Sequence, residues 1–546
     1  MAVHHLLQRK LISRFASLHP EHESYRWWVL ANIMVGTFMA VLDATIVNVG
    51  LPKIMAAFGA SLDKIEWIST AYMLVFAVML PTSGWLADHF GYKRSYFTAL
   101  LLFTAGSLLC SLAWNENSLI FFRVIQGAGG GLMMPVGMAI VTREFPPEQR
   151  GMALGFWGIA AAASISLGPL IGGYLVDNLS WQSIFSVNVP VGLFGMLATL
   201  VIQREYRTET SRSFDLVGFL SMAFFLTFLL IALSDGNASW NIGGWTSPFI
   251  LGCFAVSLVG LVIFLYTEFT VAHPLIELRL LKNFNYGISC LVLFIFGLGM
   301  FGSTFIQPMY LQNSLGYTAL QAGAVFLPVG IIQGLISPIA GSLADKINPK
   351  VPTILGIILM AASLYLNSFL SLFSEREQIM IPLYLRGLGM GILFTPLSTL
   401  ALSQIPREKM AQASGIFNVI RQVGGSFGVA MLGTILTQRQ IFHTAIAGQA
   451  VRLESPVFKN TLNAVISFAK AMAGGPAYHT AIRAYNDTLR AEVLIISHLS
   501  KQAFVQAVND CYLVTAVVTT IGIIPILFLK VNKKKTAGHG APPSVE

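Results

Sequence analysis

Inside its first long apolar stretch the chain carries one acid. Asp43 lies in Tyr25–Val49, which reads YRWWVLANIMVGTFMAVLDATIVNV and is long enough to cross a bilayer. An ionisable group at such depth is costly, so its default reading is functional. Nearly all the rest of the 25 Asp and Glu fall in expected loops or at span ends, and none of the 10 His lies deep in a span. A partly dry setting disfavours the charged carboxylate, which suits a group that loads and releases a proton near neutral pH. Proton transfer is therefore the chemistry to which Asp43 points. The competing reading is a structural acid paired with a buried arginine.

Arg123 is the candidate partner. Asp43 lies a few residues from the outer end of the first stretch, and Arg123 a few residues from the start of the fourth. At a rise of about 1.5 Å per residue both sit roughly 7–10 Å below the same surface, so a pair is geometrically possible. The alternative is an arginine that snorkels and fixes a helix end. Gln126 follows one turn later. Arg386 opens a second Gly-rich stretch, and Arg421 lies near mid-depth of another. An unpaired arginine there should face a cavity, where it binds an anionic group or balances Asp43. A structural bond to a backbone carbonyl is the other reading.

The elements that must position these groups follow from composition. The 546 residues are 55% hydrophobic and 11% charged, with mean hydropathy +0.69. A soluble domain averages about 25% charged, so this is an all-α polytopic membrane protein. The net charge of +9 sits in short loops, where it reads as a topology signal rather than a nucleic-acid surface. Cys110, Cys253, Cys290 and Cys511 lie in or beside apolar segments without a C-x-x-C pair. They read as small buried hydrophobes, and no metal site is expected. The N-terminus lacks the features of a removable signal, and His4–Ser17 could form an amphipathic surface helix.

Apolar runs of about 20 residues give fourteen expected spans. They cover 27–50, 66–87, 96–113, 118–141, 152–176, 184–203, 215–234, 247–269, 286–311, 321–344, 351–372, 380–403, 412–436 and 507–529. Lys and Arg crowd the loops on one side, among them Lys93, Arg94, Arg143, Arg204, Lys346 and Lys409. The other side has Lys53, Lys64 and Arg376, so the first side and both termini are expected in the cytoplasm of a bacterial inner membrane. The 437–506 segment is then outside, with short helices expected at Ala464–Ala473 and Tyr485–Leu499.

The chain also repeats. Gly84-x-Leu86-Ala87-Asp88 recurs as Gly341-x-Leu343-Ala344-Asp345, Pro146-x-Glu148 as Pro406-x-Glu408, and Arg123 as Arg386, at offsets of 257, 260 and 263 residues. That marks two homologous parallel halves. The offset spans eight helices, so two are inserted between halves of six. The expected parts are a cytoplasmic segment 1–26, a bundle 27–203, an inserted pair 204–285, a bundle 286–530 with outer loop 437–506, and a tail 531–546.

Several motifs now resemble those of the major facilitator superfamily, in its fourteen-span drug:proton antiporter branch of the EmrB/QacA type. Leu42-Asp43-Ala44-Thr45-Ile46-Val47-Asn48-Val49-Gly50-Leu51-Pro52 is similar to the first-span signature, with Gly50 where alanine is usual. Leu119–Gly129, containing Arg123, resembles the fourth-span motif whose arginine is implicated in proton coupling. Gly84-x-Leu86-Ala87-Asp88-His89-Phe90-Gly91-Tyr92-Lys93-Arg94 resembles the gating loop, with His89 in place of a base. Gly155, Ser164, Gly168, Pro169, Gly172 and Gly173 resemble the fifth-span antiporter motif, in which Ser164 replaces glycine. Asn418–Gly428, with Arg421, is similar to the thirteenth-span signature.

The resemblance implies two six-helix bundles around a central cavity and alternating access driven by the proton-motive force, with no cofactor. It implies export of small hydrophobic or cationic compounds. It also implies, in Gram-negative relatives, a periplasmic adaptor and an outer-membrane channel. Candidate cavity residues are Tyr72, Met73, Phe76, Met133, Phe301, Phe305, Gln307, Met309 and Phe394, although for any one of them helix packing or lipid contact is the better reading. A dedicated exporter of one metabolite, such as a fatty acid, siderophore or antibiotic, fits the same fold. A membrane enzyme or sensor is the remote class. The chain has no H-E-x-x-H, G-x-S-x-G or P-loop, and ATP-driven transport is disfavoured.

Overall fold

In lipid every backbone polar group must find an internal partner, so long apolar segments become helices. The computed structural model describes residues 22, 24–60, 62–206, 214–238, 240–271, 274, 276–406, 409–450, 459–460, 462–464, 466–467 and 481–529. Its long helices are α1 (Tyr25–Phe58), α2 (Leu62–Phe90), α3 (Tyr92–Ser111), α4 (Glu116–Glu144), α5 (Arg150–Asn178), α6 (Asn188–Ile202) and α7 (Leu216–Asp235). They continue with α8 (Pro248–Thr270), α9 (Phe284–Asn313), α10 (Leu327–Lys346), α11 (Lys350–Asn367), α12 (Arg376–Leu402), α13 (Met410–Ala450) and α14 (Ala481–Ile521).

Twelve described segments are long and apolar enough to cross a membrane. Helices α3 and α5 fall outside that set but pack among them, α3 against α4 and α6, α5 against α1 and α10. Lys93, Arg94 and several hydroxyls dilute α3. The expected His4–Ser17 helix and the basic tail lie outside the described residues.

Close helix crossings need glycine. A Cβ on Gly129 would lie 2.4 Å from the backbone nitrogen of Phe103, and one on Gly106 2.6 Å from that of Gln126. The α3–α4 contact is thus backbone against backbone.

Helices α7 and α8 pack chiefly on each other, and α7 lies against α2 and α13. Leu230 of α7 meets Leu74 and Ala77 of α2, whereas Leu229 and Leu233 meet Ala430 of α13. Leu258, Val259 and Val262 of α8 are exposed, as lipid-facing residues would be. The connection after α7 is tied to α13. The Asn237 amide and Trp245 indole donate to the Thr434 hydroxyl oxygen at 2.9 and 2.8 Å, and Asn237 also donates to the Ala430 carbonyl at 3.2 Å.

The segment expected as an outer loop is largely helix. Helix α13 runs unbroken for 41 residues to Ala450, past the expected end at 436. Helix α14, also 41 residues, takes in Tyr485–Leu499. Nothing in Gln438–Ala447 breaks a helix, so loss of apolar character ends a span but not the helix. The described part of Ala464–Ala473 is helical as well. Asp510 of α14 accepts from Arg439 Nε at 2.5 Å and pairs with His443 Nε2 at 2.7 Å, clasping the two rods.

Replacing Thr434 by valine removes the acceptor shared by Asn237 and Trp245. We expect a loss of about 0.5–1.5 kcal/mol, the usual net worth of a hydrogen bond between partly exposed groups. Thermal unfolding in detergent checks it, with Ser426→Ala on the same helix as the control. Equal stability of Thr434→Val and wild type would refute the tie.

Candidate functional site

Asp43 is fully buried on α1, and Arg123 of α4 is 1% exposed. They form an ion pair through Arg123 Nη1 and Asp43 Oδ2. The Gln126 amide donates to Asp43 Oδ1 at 2.7 Å, and Asn188 of α6 donates to the same oxygen at 3.2 Å. Arg123 Nε donates to the Ile68 carbonyl at 3.1 Å, and Nη1 also reaches Gln126 Oε1 at 2.7 Å. Gln126 further donates to Ser107 Oγ at 2.7 Å. Side chains of α4 and α6 thus hold the α1 carboxylate, and α3 supports Gln126 behind them. The Arg123 guanidinium lies 4.1 Å from the Tyr72 ring centroid, a cation–π contact. Tyr72 in turn donates from its hydroxyl to the Ala40 carbonyl at 3.1 Å.

Tyr72 is also a wall. A cavity of about 300 Å³ lies between the halves. From the first half it is lined by Ala40, Ala44, Thr45, Asn48, Tyr72, Met73, Phe76 and Trp157. The second half adds Phe296, Met300, Phe301, Phe326, Gln333, Arg386, Phe394, Arg421 and Gln422. No residue of α7 or α8 lines it, so neither Phe224 nor Phe225 touches this space. Asp43 and Gln126 sit behind the wall rather than in it.

The two cavity arginines lack acidic partners among the described residues. Arg386 donates from Nη2 to the Met300 carbonyl at 3.0 Å and to Thr304, and its Nε and Nη1 are buried without a partner. Arg421 donates to Asn418 Oδ1 at 3.4 Å, and its Nε has no partner. Asp43 is held by Arg123, so Arg421 does not balance it.

Four expected cavity residues lie elsewhere. Met133 is buried against the Gly36 side of α1. Phe305 is 39% exposed on the outside of α9. Gln307 is buried and accepts from the Tyr512 hydroxyl of α14. Met309 does not line the cavity either. These helices are apolar on every face, so spacing alone does not separate a cavity face from a lipid or packing face.

The halves meet closely at the basic end. A Cβ on Gly341 would lie 2.0 Å from the Gly151 carbonyl oxygen, and one on Gly155 2.5 Å from Pro338 Cα. A Cβ on Gly84 would lie 2.9 Å from Gln412 Cα. Asp345 of α10 accepts from the backbone nitrogens of Gly151 and Met152, both at 3.2 Å. An acid of one half thereby caps the first turn of α5 in the other. Asp88 accepts from Tyr92 and from Gln412 Nε2, each at 3.4 Å. Gly91 has φ +96°, which favours glycine, and Glu205 fills the space where a Cβ would go. Glu205 accepts from the Lys93 backbone at 3.0 Å and pairs with Arg94 at 3.7 Å, while Lys93 Nζ donates to the Leu200 carbonyl at 2.7 Å.

A family model described as Major Facilitator Superfamily matches residues 33–429. The chain belongs to the major facilitator superfamily. It is 32% identical to the multidrug export protein EmrB of Escherichia coli strain K12, over 78% of this chain and 83% of that one. It is 34% identical to a multidrug resistance protein B homolog of Mycobacterium tuberculosis strain H37Rv, over 77% and 78%. Relatives of this kind place it in the EmrB-type drug:proton antiporter branch. The human organic anion transporter MFSD10 (TETRAN) shares the fold, with TM-score 0.58 at 12% identity, over 90% of this chain and 99% of that one.

Within this facilitator fold, the fifth-span glycines do two jobs. Gly168 and Gly172 let α5 lie against Thr45 and Ile46, next to Asp43, with a Cβ on Gly168 only 2.0 Å from Thr45 Oγ1. Gly155 faces α10, and Gly173 faces Leu320. Pro169 lies in α5, with its side chain outside those described. Ser164 Oγ donates to the Phe38 carbonyl at 2.9 Å, so it packs where glycine is usual and adds a bond. Sequence reasoning missed Asn188 and Trp157. Asn188 was findable as an amide at the head of an apolar span, where burial demands a partner.

Gly341→Ala has no room while α5 and α10 touch. We expect it to favour opening at the basic end. Maleimide labelling of Ser337→Cys, buried beside Gly155, should speed up severalfold in the Gly341→Ala background. Unchanged labelling in folded protein would refute the close contact.

Proposed function

We propose that this facilitator exports hydrophobic compounds across a bacterial inner membrane in exchange for protons. The observation that carries the reading is the dry Asp43–Arg123 pair, separated from the cavity by Tyr72. Protonation of Asp43 removes its charge and frees Arg123 from the pair. Arg123 then keeps the Ile68 carbonyl and the Tyr72 ring, so any shift reaches the cavity wall. The same carboxylate is flanked by Thr45 and Ile46, on which α5 slides by way of Gly168 and Gly172. Alternating access couples this site to the gate formed by Gly84, Asp88, Gly91, Lys93, Arg94 and Asp345. The basic end is then cytoplasmic, with both termini.

The cavity charges refine the substrate class. Two guanidiniums and no acid line it among the described residues, so neutral and anionic amphiphiles fit better than cations. The similarity to multidrug export and resistance proteins supports breadth over a dedicated metabolite. The clasped outer rods of α13 and α14 are where an adaptor would dock. Proton coupling needs no cofactor.

Dye efflux from inverted vesicles, with and without a proton gradient, tests the whole reading. Asp43→Asn keeps the amide partners Gln126 and Asn188 but should reduce gradient-driven efflux at least about a hundredfold. Wild-type transport in a well-folded Asp43→Asn variant would remove Asp43 from the mechanism. Arg123→Ala should impair coupling more than substrate binding, and Arg123→Lys should restore only part of it, because a point charge replaces a planar fork.

Arg386→Gln should weaken efflux of an anionic dye about tenfold or more, with a neutral dye affected less. Equal losses for both dyes would sink the charge argument.

A further inference from the structure

A second cavity lies at the basic end, away from the central one. Its volume is about 600 Å³, and it is lined by Arg26, Arg143, Glu144, Arg204, Tyr206 and the Phe145–Pro146 corner. The start of α1, the end of α4 and the segment after α6 meet there. Three guanidiniums face one carboxylate. That carboxylate is already committed, since Glu144 accepts from Arg204 at 3.3 Å and from the Tyr206 hydroxyl at 2.8 Å.

The other two arginines are held by rings rather than by acids. Arg143 lies 5.0 Å from the centroids of both Tyr92 and Tyr206, and Arg26 lies 5.8 Å from that of Phe145. Ring contacts orient a guanidinium without neutralising it. Among the described residues, Arg143 Nη1 and Arg26 Nε are both buried without a hydrogen-bond partner. Such groups are costly unless an acceptor arrives. Planar forks around an open volume suit tetrahedral oxyanions better than a single carboxylate.

The depth of the pocket favours phosphate. It opens where helices end, at the depth of Trp28, which lies two residues after Arg26 on α1 and is 48% exposed. Exposed tryptophan marks the headgroup level of a bilayer. The volume exceeds a lone oxyanion and admits the glycerol part of a lipid headgroup. Basic pockets between helices on this side of a membrane are suited to anionic lipid headgroups.

We propose that the Arg26–Arg143–Arg204 pocket binds an anionic phosphate group, from a phospholipid headgroup or from free phosphate. Occupancy would join α1, α4 and the end of α6 within one half of the transporter. It is independent of the Asp43 site and of the central cavity.

The test uses the full chain in phosphatidylcholine nanodiscs. Tryptophan fluorescence is followed as phosphatidylglycerol is titrated in, and separately as inorganic phosphate is titrated. Saturable binding of phosphatidylglycerol, weakened at least tenfold in Arg26→Gln/Arg143→Gln and unchanged in Arg376→Gln at the opposite end, supports a lipid headgroup. Binding of inorganic phosphate alone, weakened by the same double variant, supports free phosphate. Arg26→Gln by itself, at the first turn of α1, provides a folded variant should the double change destabilise the chain; it should weaken binding severalfold. Wild-type binding in that folded variant, or no saturable binding of either probe by the wild type, overturns the proposal.

Discussion

A charge inside a bilayer must be matched, and the match between Asp43 and Arg123 organises the first half. Separating such a pair by deleting one partner typically costs about 3–5 kcal/mol. Burial is tolerable because neighbouring polar groups bond the second carboxylate oxygen and the guanidinium Nε. Gln126, Asn188 and the Ile68 carbonyl fill that role, and Ser107 anchors Gln126 in turn. The positions of α1, α2, α3, α4 and α6 are therefore tied to one carboxylate. The Gly106 and Gly129 contacts follow from the same need, because α3 and α4 must approach closely for Ser107 to reach Gln126.

The second half has the same architecture without the acid. Arg386 stands where the repeat places Arg123, yet among the described residues it bonds only to Met300 and Thr304. One half holds a closed charge pair behind a wall, and the other presents open charge to the cavity. The two halves meet through glycine contacts at the basic end and part around Tyr72, Phe296, Phe326 and Phe394, whose bulk sets the central space. The ion pair and the central cavity are thus neighbours without being shared, with Tyr72 as the common boundary.

Much of this was legible in the chain. The depth of Asp43 and Arg123 could be counted along two helices, because rise per residue is fixed. The repeat of Gly84–Asp88 in Gly341–Asp345 marked where the two halves touch, since glycine and an acid at that spacing suit a close helix-end contact. The faces of helices were not legible. Met133, Phe305 and Gln307 were expected in the cavity but lie against α1, outside α9 and on Tyr512. A helix that is apolar all round gives no phase to read. Polar partners contributed by other helices, such as Asn188, were hidden for a related reason: their meaning depends on what they meet. The end of α13 was misplaced because hydropathy tracks the lipid boundary and not the end of the hydrogen-bond ladder.

The length of α13 and α14 has a mechanical consequence. A helix of 41 residues is about 60 Å long, roughly twice the hydrocarbon thickness. The two are clasped where they leave the bundle, by Arg439 and His443 on Asp510. They therefore form a lever whose fulcrum is inside the membrane. A tilt of about 10° in the second half would swing the roughly 40 Å of α14 beyond Asp510 by about 7 Å at its tip. Motion too small to notice at the cavity becomes a stroke outside it, large enough for another protein to feel.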